Sequence, residues 1–169
     1  KNLKKIIFPK TKILITGDGR VSKGVLELLN ETNIKQISIK EFLNSETTKP
    51  VFCNLKTYDY VSHLKKRNFN LSHFINYPKE YFSCALPYLK ESNILISAHY
   101  WDPSSPKIFE KKQLNQLLKL KIIGDITCDV DGSIPTTIRS TTIKKPNYYI
   151  NKKNMEETKQ KQNSVSVMA

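Results

Sequence analysis

The sequence lacks the features that mark several classes of protein. It has no apolar run long enough to span a bilayer, and its basic, then apolar N-terminus lacks the cleavage site of a signal peptide. The three cysteines, Cys53, Cys84 and Cys128, form no CxxC pair and no cluster with metal-ligand spacing. A sparse, odd set of cysteines is typical of a reducing compartment. We therefore predict a cytoplasmic protein with no membrane partner and no bound metal.

Arginine is also scarce, although the formal net charge is +13. Of the 28 basic residues only three are arginine, and the lysines are spread along the whole chain. Nucleic-acid patches are usually clustered and rich in arginine, so the composition favours lysines that solvate the surface, with no nucleic-acid partner. Polyanion binding stays an alternative, which a steep salt dependence of DNA binding would reveal.

Alternating strand and helix patterns predict one α/β domain. The chain has 169 residues, of which 38% are hydrophobic and 25% charged, as in a single globular domain. Predicted strands are 12–16, 36–39, 50–54, 93–97 and 121–127; predicted helices are 25–29, 78–91 with a break or kink at Pro87, and 109–120. The alternation predicts a Rossmann-like, doubly wound, mostly parallel sheet with helices on both faces. Ligands of such sheets bind at the carboxyl ends of the strands.

Three of only five glycines fall in one informative motif. The strand 12–16 runs into Gly17-Asp-Gly19-Arg-Val-Ser-Lys-Gly24 and then into a helix. Gly17 permits a tight turn, Gly19 lets a pyrophosphate approach the main chain, and the helix N-terminus offers free N–H groups. Arg20 adds a charged planar donor, whereas Ser22 replaces the expected third glycine. The motif predicts a dinucleotide site, and its alternative is an ordinary glycine-rich turn.

The loop after the last predicted strand is unusually polar. Asp125, Asp129 and Asp131 lie close together with Gly132. A calcium loop is excluded by spacing, because the first ligand would be a threonine and the closing glutamate an isoleucine. We expect a loop that contacts cofactor and polar substrate, with a hydrogen-bonded turn without ligand as the alternative.

A second loop, at 98–103, carries an aromatic pair after the predicted strand 93–97. Tyr100 and Trp101 have the shape to pack against a nicotinamide, adenine or ribose, although a lone aromatic pair is more often core. His99 alone more often makes a structural hydrogen bond than it catalyses. No nucleophile–base pair is visible, and we predict no catalytic residue in this chain.

These motifs together resemble the nicotinamide-dependent saccharopine dehydrogenase and lysine–2-oxoglutarate reductase family, which is related to alanine dehydrogenase and transhydrogenase. The matching segments are the glycine motif through Gly24, Tyr100-Trp101, Gly124 to Asp129 with Gly132-Ser-Ile134, and Arg139 to Ile143 with Pro146. The resemblance implies two Rossmann-like domains that flank a cleft. It also implies hydride transfer, between saccharopine and lysine plus 2-oxoglutarate, or between saccharopine and glutamate plus a semialdehyde.

The resemblance also implies which residues bind the ligands. Residues expected to bind NAD or NADP are Gly17, Gly19, Arg20, Val21, Ser38, Tyr100 and Ile126. Residues expected to meet the amino-acid or oxo-acid substrate are Thr127, Cys128 and Asp129. Cys128 is then a small loop residue and not a nucleophile.

One departure from the family concerns the second strand. The family commonly ends that strand with an acidic residue that holds the ribose hydroxyls, whereas this chain offers Ser38, with Lys40 and Glu41 nearby. A serine beside a lysine tolerates a 2′-phosphate better than an aspartate does, which predicts a weakened preference for NAD.

A second departure concerns the extent of the chain. We expect residues 1–150 to form the dinucleotide-binding domain, 151–163 a polar loop, and 164–169 the start of a truncated strand. In the family, the lysine and histidine that exchange protons lie in a preceding N-terminal domain, and we expect this domain and a returning C-terminal segment to be missing from the chain. The chain therefore resembles the cofactor-binding half of the enzyme, inactive by itself. The alternatives are an alanine-dehydrogenase-like enzyme and a non-catalytic nucleotide-binding remnant.

Overall fold

A computed structural model describes residues 3–169. The strands are β1 Lys12–Thr16, β2 Lys35–Gln36, β3 Val51–Leu55, β4 Val61–His63, β5 Tyr81–Ser83, β6 Ile94–Ser97, β7 Ile122–Asp125, β8 Tyr148–Asn151, β9 Glu157–Thr158 and β10 Ser164–Met168. The α-helices are α1 Arg20–Asn30, α2 Ile39–Asn44, α3 Thr57–Tyr60, α4 Leu71–Asn76 and α5 Leu86–Glu91. Short 3₁₀ helices cover Leu3–Lys5, Pro78–Glu80 and Lys111–Gln116.

The central sheet has eight strands in the order β2-β3-β1-β6-β7-β10-β8-β9. Its first six strands are parallel, whereas β8 and β9 add antiparallel pairs at one end. Strands β4 and β5 form a separate two-stranded sheet. The predicted Rossmann-like α/β fold, with a mostly parallel sheet flanked by helices, is confirmed.

Both faces of the sheet are covered, which explains why the three central residues of β1 are apolar. Successive side chains of a strand point to opposite faces. Ile13 and Ile15 accordingly pack in one core cluster with Leu29 of α1, while Leu14 joins a larger cluster with Phe42 of α2. All five residues of β1 are buried.

Helix α1 begins earlier than its apolar pattern indicates. The pattern predicts a helix over 25–29, but α1 begins at Arg20, with Gly19 as its N-cap. The backbone N–H of Lys23 and the hydroxyl of Ser22 both donate to the Gly19 carbonyl. Ser22 is buried against the turn, so the missing third glycine is accommodated by a small hydrogen-bonding side chain.

Two predicted helices are wrong in part. The segment 78–91 contains strand β5 between a 3₁₀ turn and α5, and Pro87 lies in the first turn of α5, where its missing N–H costs nothing. The segment 109–120 contains only the 3₁₀ helix Lys111–Gln116. Its buried leucines, Leu114, Leu117 and Leu120, recur every third residue, which is the period of a 3₁₀ helix.

The predicted second strand is also shorter than expected. Strand β2 ends at Gln36, because Ser38 caps helix α2. The Ser38 hydroxyl accepts a hydrogen bond from the backbone N–H of Glu41, and the Glu41 carboxylate accepts from the backbone N–H of Ser38. This reciprocal capping box fixes the N-cap of the helix two residues after the end of the strand.

The polar segment 151–163 contains strand β9, which pairs with Tyr149 and Ile150 of β8. Strand β10 follows it and lies between β7, to which it is parallel, and β8, to which it is antiparallel. The side chain of Lys152 turns inward and is 4% exposed. Its amine donates to the carbonyls of Leu117, Leu118 and Leu120, so it connects the β8 hairpin to the turn between the 3₁₀ helix and β7.

Candidate functional site

The loops that follow β1, β6 and β7 meet at one edge of the sheet, as expected for parallel strands. Together they line a cavity of 280 Å³, which we name the β7-side cavity. Six of the predicted site residues line it: Gly19, Val21, Tyr100, Ile126, Thr127 and Asp129. Ala98, His99 and Trp101 complete the wall. The loops that the sequence singled out therefore share one concave surface.

A second cavity of 180 Å³, the β3-side cavity, lies beside the first. Its walls include Asp18 from the glycine turn, Thr57 and Tyr60 after β3, and Leu71 and Ile75 of α4. Gly19, His99, Tyr100 and Trp101 line both cavities. The two spaces are therefore adjacent and meet at the N-terminus of α1.

Gly17 and Gly19 have different structural roles. Gly17 has φ of +115°, and a Cβ there would lie 2.5 Å from the Ala98 carbonyl oxygen, so only glycine fits. Gly19 has φ of −86° as the N-cap, and no atom of the described residues lies within 4 Å of a Cβ built on it. The backbone at Gly19 therefore faces open space beside an eleven-residue helix whose N-cap makes no side-chain hydrogen bond.

His99 lies beneath the junction of the two cavities and is 7% exposed. Its Nδ1 is 2.8 Å from the Thr16 hydroxyl, whereas its Nε2 is buried without a hydrogen-bond partner among the described residues. Burial lowers the pKa of His99 to about 4, although Asp125 opposes the shift. The imidazole is therefore neutral at pH 7, with one nitrogen unsatisfied. Sequence reasoning discounts this residue, whose only signal is its position just after β6.

Asp125, the last residue of β7, holds the following loop in place. It is 3% exposed and accepts hydrogen bonds from the Thr127 and Thr137 hydroxyls, each at 2.6 Å. Asp129 closes a turn by accepting from the N–H of Gly132, where a Cβ would meet the Asp129 carbonyl at 2.6 Å. These contacts direct Thr127 and Asp129 to the β7-side cavity.

Four predicted site residues line neither cavity: Gly17, whose turn is described above, and Cys128, Arg20 and Ser38. Cys128 has a left-handed φ of +57°, and its thiol faces the Ser140 hydroxyl at 3.6 Å. Arg20 is exposed on the first turn of α1. Ser38 is exposed in the cap of α2, at the end of the outermost strand, and its hydroxyl donates to Glu41. The hydrogen bond from the Ser38 backbone N–H and, second, the bond from its hydroxyl lower the pKa of Glu41.

A third group of polar side chains lies apart from the cavities. His63, His73 and Glu80 have nitrogen and oxygen atoms within 4.8 Å of one another, a spacing that suits a metal ion. However, Nδ1 of His63 accepts the backbone N–H of Lys65, so its Nε2 carries the proton and donates to Glu80 at 3.1 Å. A protonated Nε2 does not ligate a metal, and the cluster instead joins β4 to the turn before β5.

None of the helices in the described part of the chain is long and apolar enough to cross a membrane.

Comparison with known proteins identifies relatives over most of the chain. No family model matches it. It is 29% identical to an alpha-aminoadipic semialdehyde synthase of Arabidopsis thaliana over 165 residues, covering 83% of this chain and 15% of the plant protein. It is 26% identical to the mitochondrial enzymes of that name from Bos taurus and Rattus norvegicus, over 84% of this chain and 18% of each relative. The cytoplasmic location expected from the cysteines stays a prediction, since these mammalian relatives are named as mitochondrial.

The chain thus spans less than a fifth of the length of these relatives. The predicted resemblance is confirmed at the level of similarity: over most of its length this chain is similar to proteins named alpha-aminoadipic semialdehyde synthase.

Proposed function

We propose that this chain binds a nicotinamide dinucleotide across its two cavities, as the cofactor-binding part of an oxidoreductase. The proposal rests on one observation: both cavities meet at Gly19. An open main chain at a helix N-terminus suits a pyrophosphate, because backbone N–H groups and the helix dipole both favour an anion there. One nucleotide then lies on each side of the turn.

The two cavities suit different halves of the cofactor. The β3-side cavity has apolar walls from α4, which suit an adenine ring. The β7-side cavity contains Thr127 and Asp129, the residues predicted to meet the substrate, and therefore suits the nicotinamide. The unsatisfied Nε2 of His99 lies beneath the junction, where it can bond a sugar or phosphate oxygen of the ligand.

The reaction proposed for the parent enzyme is hydride transfer at the carbon of a secondary amine or imine, in lysine metabolism. The relatives' name, alpha-aminoadipic semialdehyde synthase, supports this substrate class over the alanine-dehydrogenase alternative. The cofactor supplies the hydride chemistry. The residues of this chain would bind and orient the cofactor, while the acid–base groups belong to a further part of the parent protein. The chain alone is then expected to bind nucleotide without turnover.

A fluorescence titration tests the proposal. Trp101 is the only tryptophan in the chain and lines both cavities, so NADH or NADPH bound there should quench its emission by energy transfer. Gly19→Val should weaken binding by about tenfold or more, because a side chain blocks pyrophosphate approach. Gly24→Val is the matched control, since a Cβ at Gly24 also meets no described atom.

The folding of each variant is checked by urea denaturation. Saturable quenching that is lost in Gly19→Val and kept in Gly24→Val supports the site. Absence of saturable quenching by either nucleotide, or equal affinity of the wild type and Gly19→Val, overturns it.

A further inference from the structure

We propose that Asp18 and Thr57 bind the adenosine ribose, so that the site selects NAD(H) over NADP(H). This inference rests on the proposed dinucleotide binding and adds a specificity determinant that the family resemblance does not assign. It replaces the weakened preference for NAD that Ser38 predicts from the sequence.

The order of the strands determines which loop lies beside the glycine turn. In a dinucleotide-binding sheet the ribose is held beside the strand next to β1, at its carboxyl end. Here that neighbour is β3, the third strand along the chain, and β2 lies outside it. The residues in position to meet a ribose therefore follow Leu55, and Ser38 at the outer edge does not share the cavity.

The described lining of the β3-side cavity carries a negative charge, which comes from Asp18. Asp18 is exposed, and among the described lining residues only its side chain is charged at neutral pH, because the buried His99 is neutral. The Thr57 hydroxyl donates to its Oδ1 at 3.4 Å, which places the carboxylate beside the end of β3. A carboxylate accepts hydrogen bonds from ribose hydroxyls and repels a 2′-phosphate.

The neighbouring lysine does not make the described lining of the β3-side cavity positive. Lys56 follows β3, but it is not among the residues that line the cavity, and its amine lies 5.7 Å from the centre of the Tyr58 ring. Its backbone N–H is held by the Asp59 carboxylate, which adds a second negative charge at the same end of β3. Among the described residues that line this cavity there is a carboxylate but no arginine or lysine, which suits a diol better than a 2′-phosphate.

The test compares the dissociation constants of NADH and NADPH by Trp101 quenching. The wild type should bind NADH about tenfold or more tightly than NADPH. Asp18→Asn removes the repulsion, so NADPH should bind more tightly. The ratio of the NADPH to the NADH dissociation constant should then fall to about threefold or less. Thr57→Val should weaken NADH binding. Glu27→Gln, which removes an equal charge from the exposed face of α1, should leave the ratio unchanged.

Each outcome decides the question. The inference is overturned if the wild type binds NADPH as tightly as NADH, or if Asp18→Asn keeps the wild-type ratio. A ratio that changes in Ser38→Ala and not in Asp18→Asn also overturns it, in favour of the second strand. Failure of both nucleotides to bind the wild type rejects the dinucleotide site itself, a result distinct from loss of selectivity.

Discussion

The carbonyl oxygen of Ala98 lies 2.5 Å from the position that a Cβ on Gly17 would occupy. The turn after β1 and the loop after β6 are thus in backbone contact, which sets the spacing between the two strand ends that frame the cavities. A hydrogen bond from the Gly17 N–H to Leu55 fixes the same turn to β3. Gly17 therefore holds three strand ends in register.

Gly17→Ala should lower the free energy of unfolding by about 2–4 kcal/mol, since it combines a left-handed φ with a backbone clash. Gly24→Ala is the control. Gly24 lies within α1 with open space around it, so alanine there should raise the free energy of unfolding by about 0.5–1 kcal/mol. Urea denaturation measures both. Equal stability of Gly17→Ala and the wild type would contradict the described turn.

His99 should make the fold sensitive to acid. Its pKa is lowered to about 4 in the folded protein, against 6.5 for a solvated histidine such as that of the unfolded chain. The unfolded chain therefore takes up a proton first as the pH falls. The contribution of the neutral His99 to the free energy of unfolding is fully present above pH 6.5. It is lost between pH 6.5 and 4, by about 3 kcal/mol for a pKa shift of this size.

The comparison with His99→Gln isolates this contribution. Denaturation of both proteins between about pH 7 and 4 should show the wild type losing more stability than the variant. Parallel curves would mean that folding does not lower the pKa of His99, and that the buried environment described for its imidazole is wrong.

Asp125→Asn should loosen the loop after β7. The amide nitrogen cannot accept the hydroxyl proton of Thr127 or Thr137, so one of the two bonds must be reversed or lost. We expect a loss of about 1–3 kcal/mol in the free energy of unfolding and weaker nucleotide binding. Asp131→Asn, at an exposed position of the same loop, should change the stability little. The two variants are compared by denaturation and by the Trp101 titration.

Lys152→Met should destabilise the protein although it removes a buried charge. The methionine leaves the carbonyls of Leu117, Leu118 and Leu120 without their donor, at a cost of about 1–3 kcal/mol. The neighbouring Lys153 is exposed, so Lys153→Met should be close to neutral. A thermal melt of each variant tests this, and equal melting temperatures would show that the Lys152 amine has no structural role.

The sequence predicts the central strands well because burial on both faces leaves a continuous apolar run. The predicted segments 12–16 and 93–97 coincide almost completely with β1 and β6. The 3₁₀ helix Lys111–Gln116 escapes prediction because the spacing of Leu114 and of the two leucines that follow it, Leu117 and Leu120, is hard to separate from a 3.6-residue spacing over two turns.

The arrangement of the candidate site is harder to predict than its loops. Chain order does not reveal that β3, and not β2, pairs with β1, so sequence reasoning assigns Ser38 to a cavity that it does not line. His99 escapes notice because a single histidine carries no spacing signal, and its burial follows from tertiary packing of Thr16 and Tyr60 around the ring.

The position of β10 has a consequence for how the polypeptide folds as it leaves the ribosome. Although it comes last in the sequence among the described strands, it fills the place between β7 and β8. Until it docks, the outer edge of β7 presents unpaired amide groups to any passing strand. Nascent chains should therefore be most prone to aggregate between synthesis of β7 and docking of β10, the interval in which a chaperone would help most.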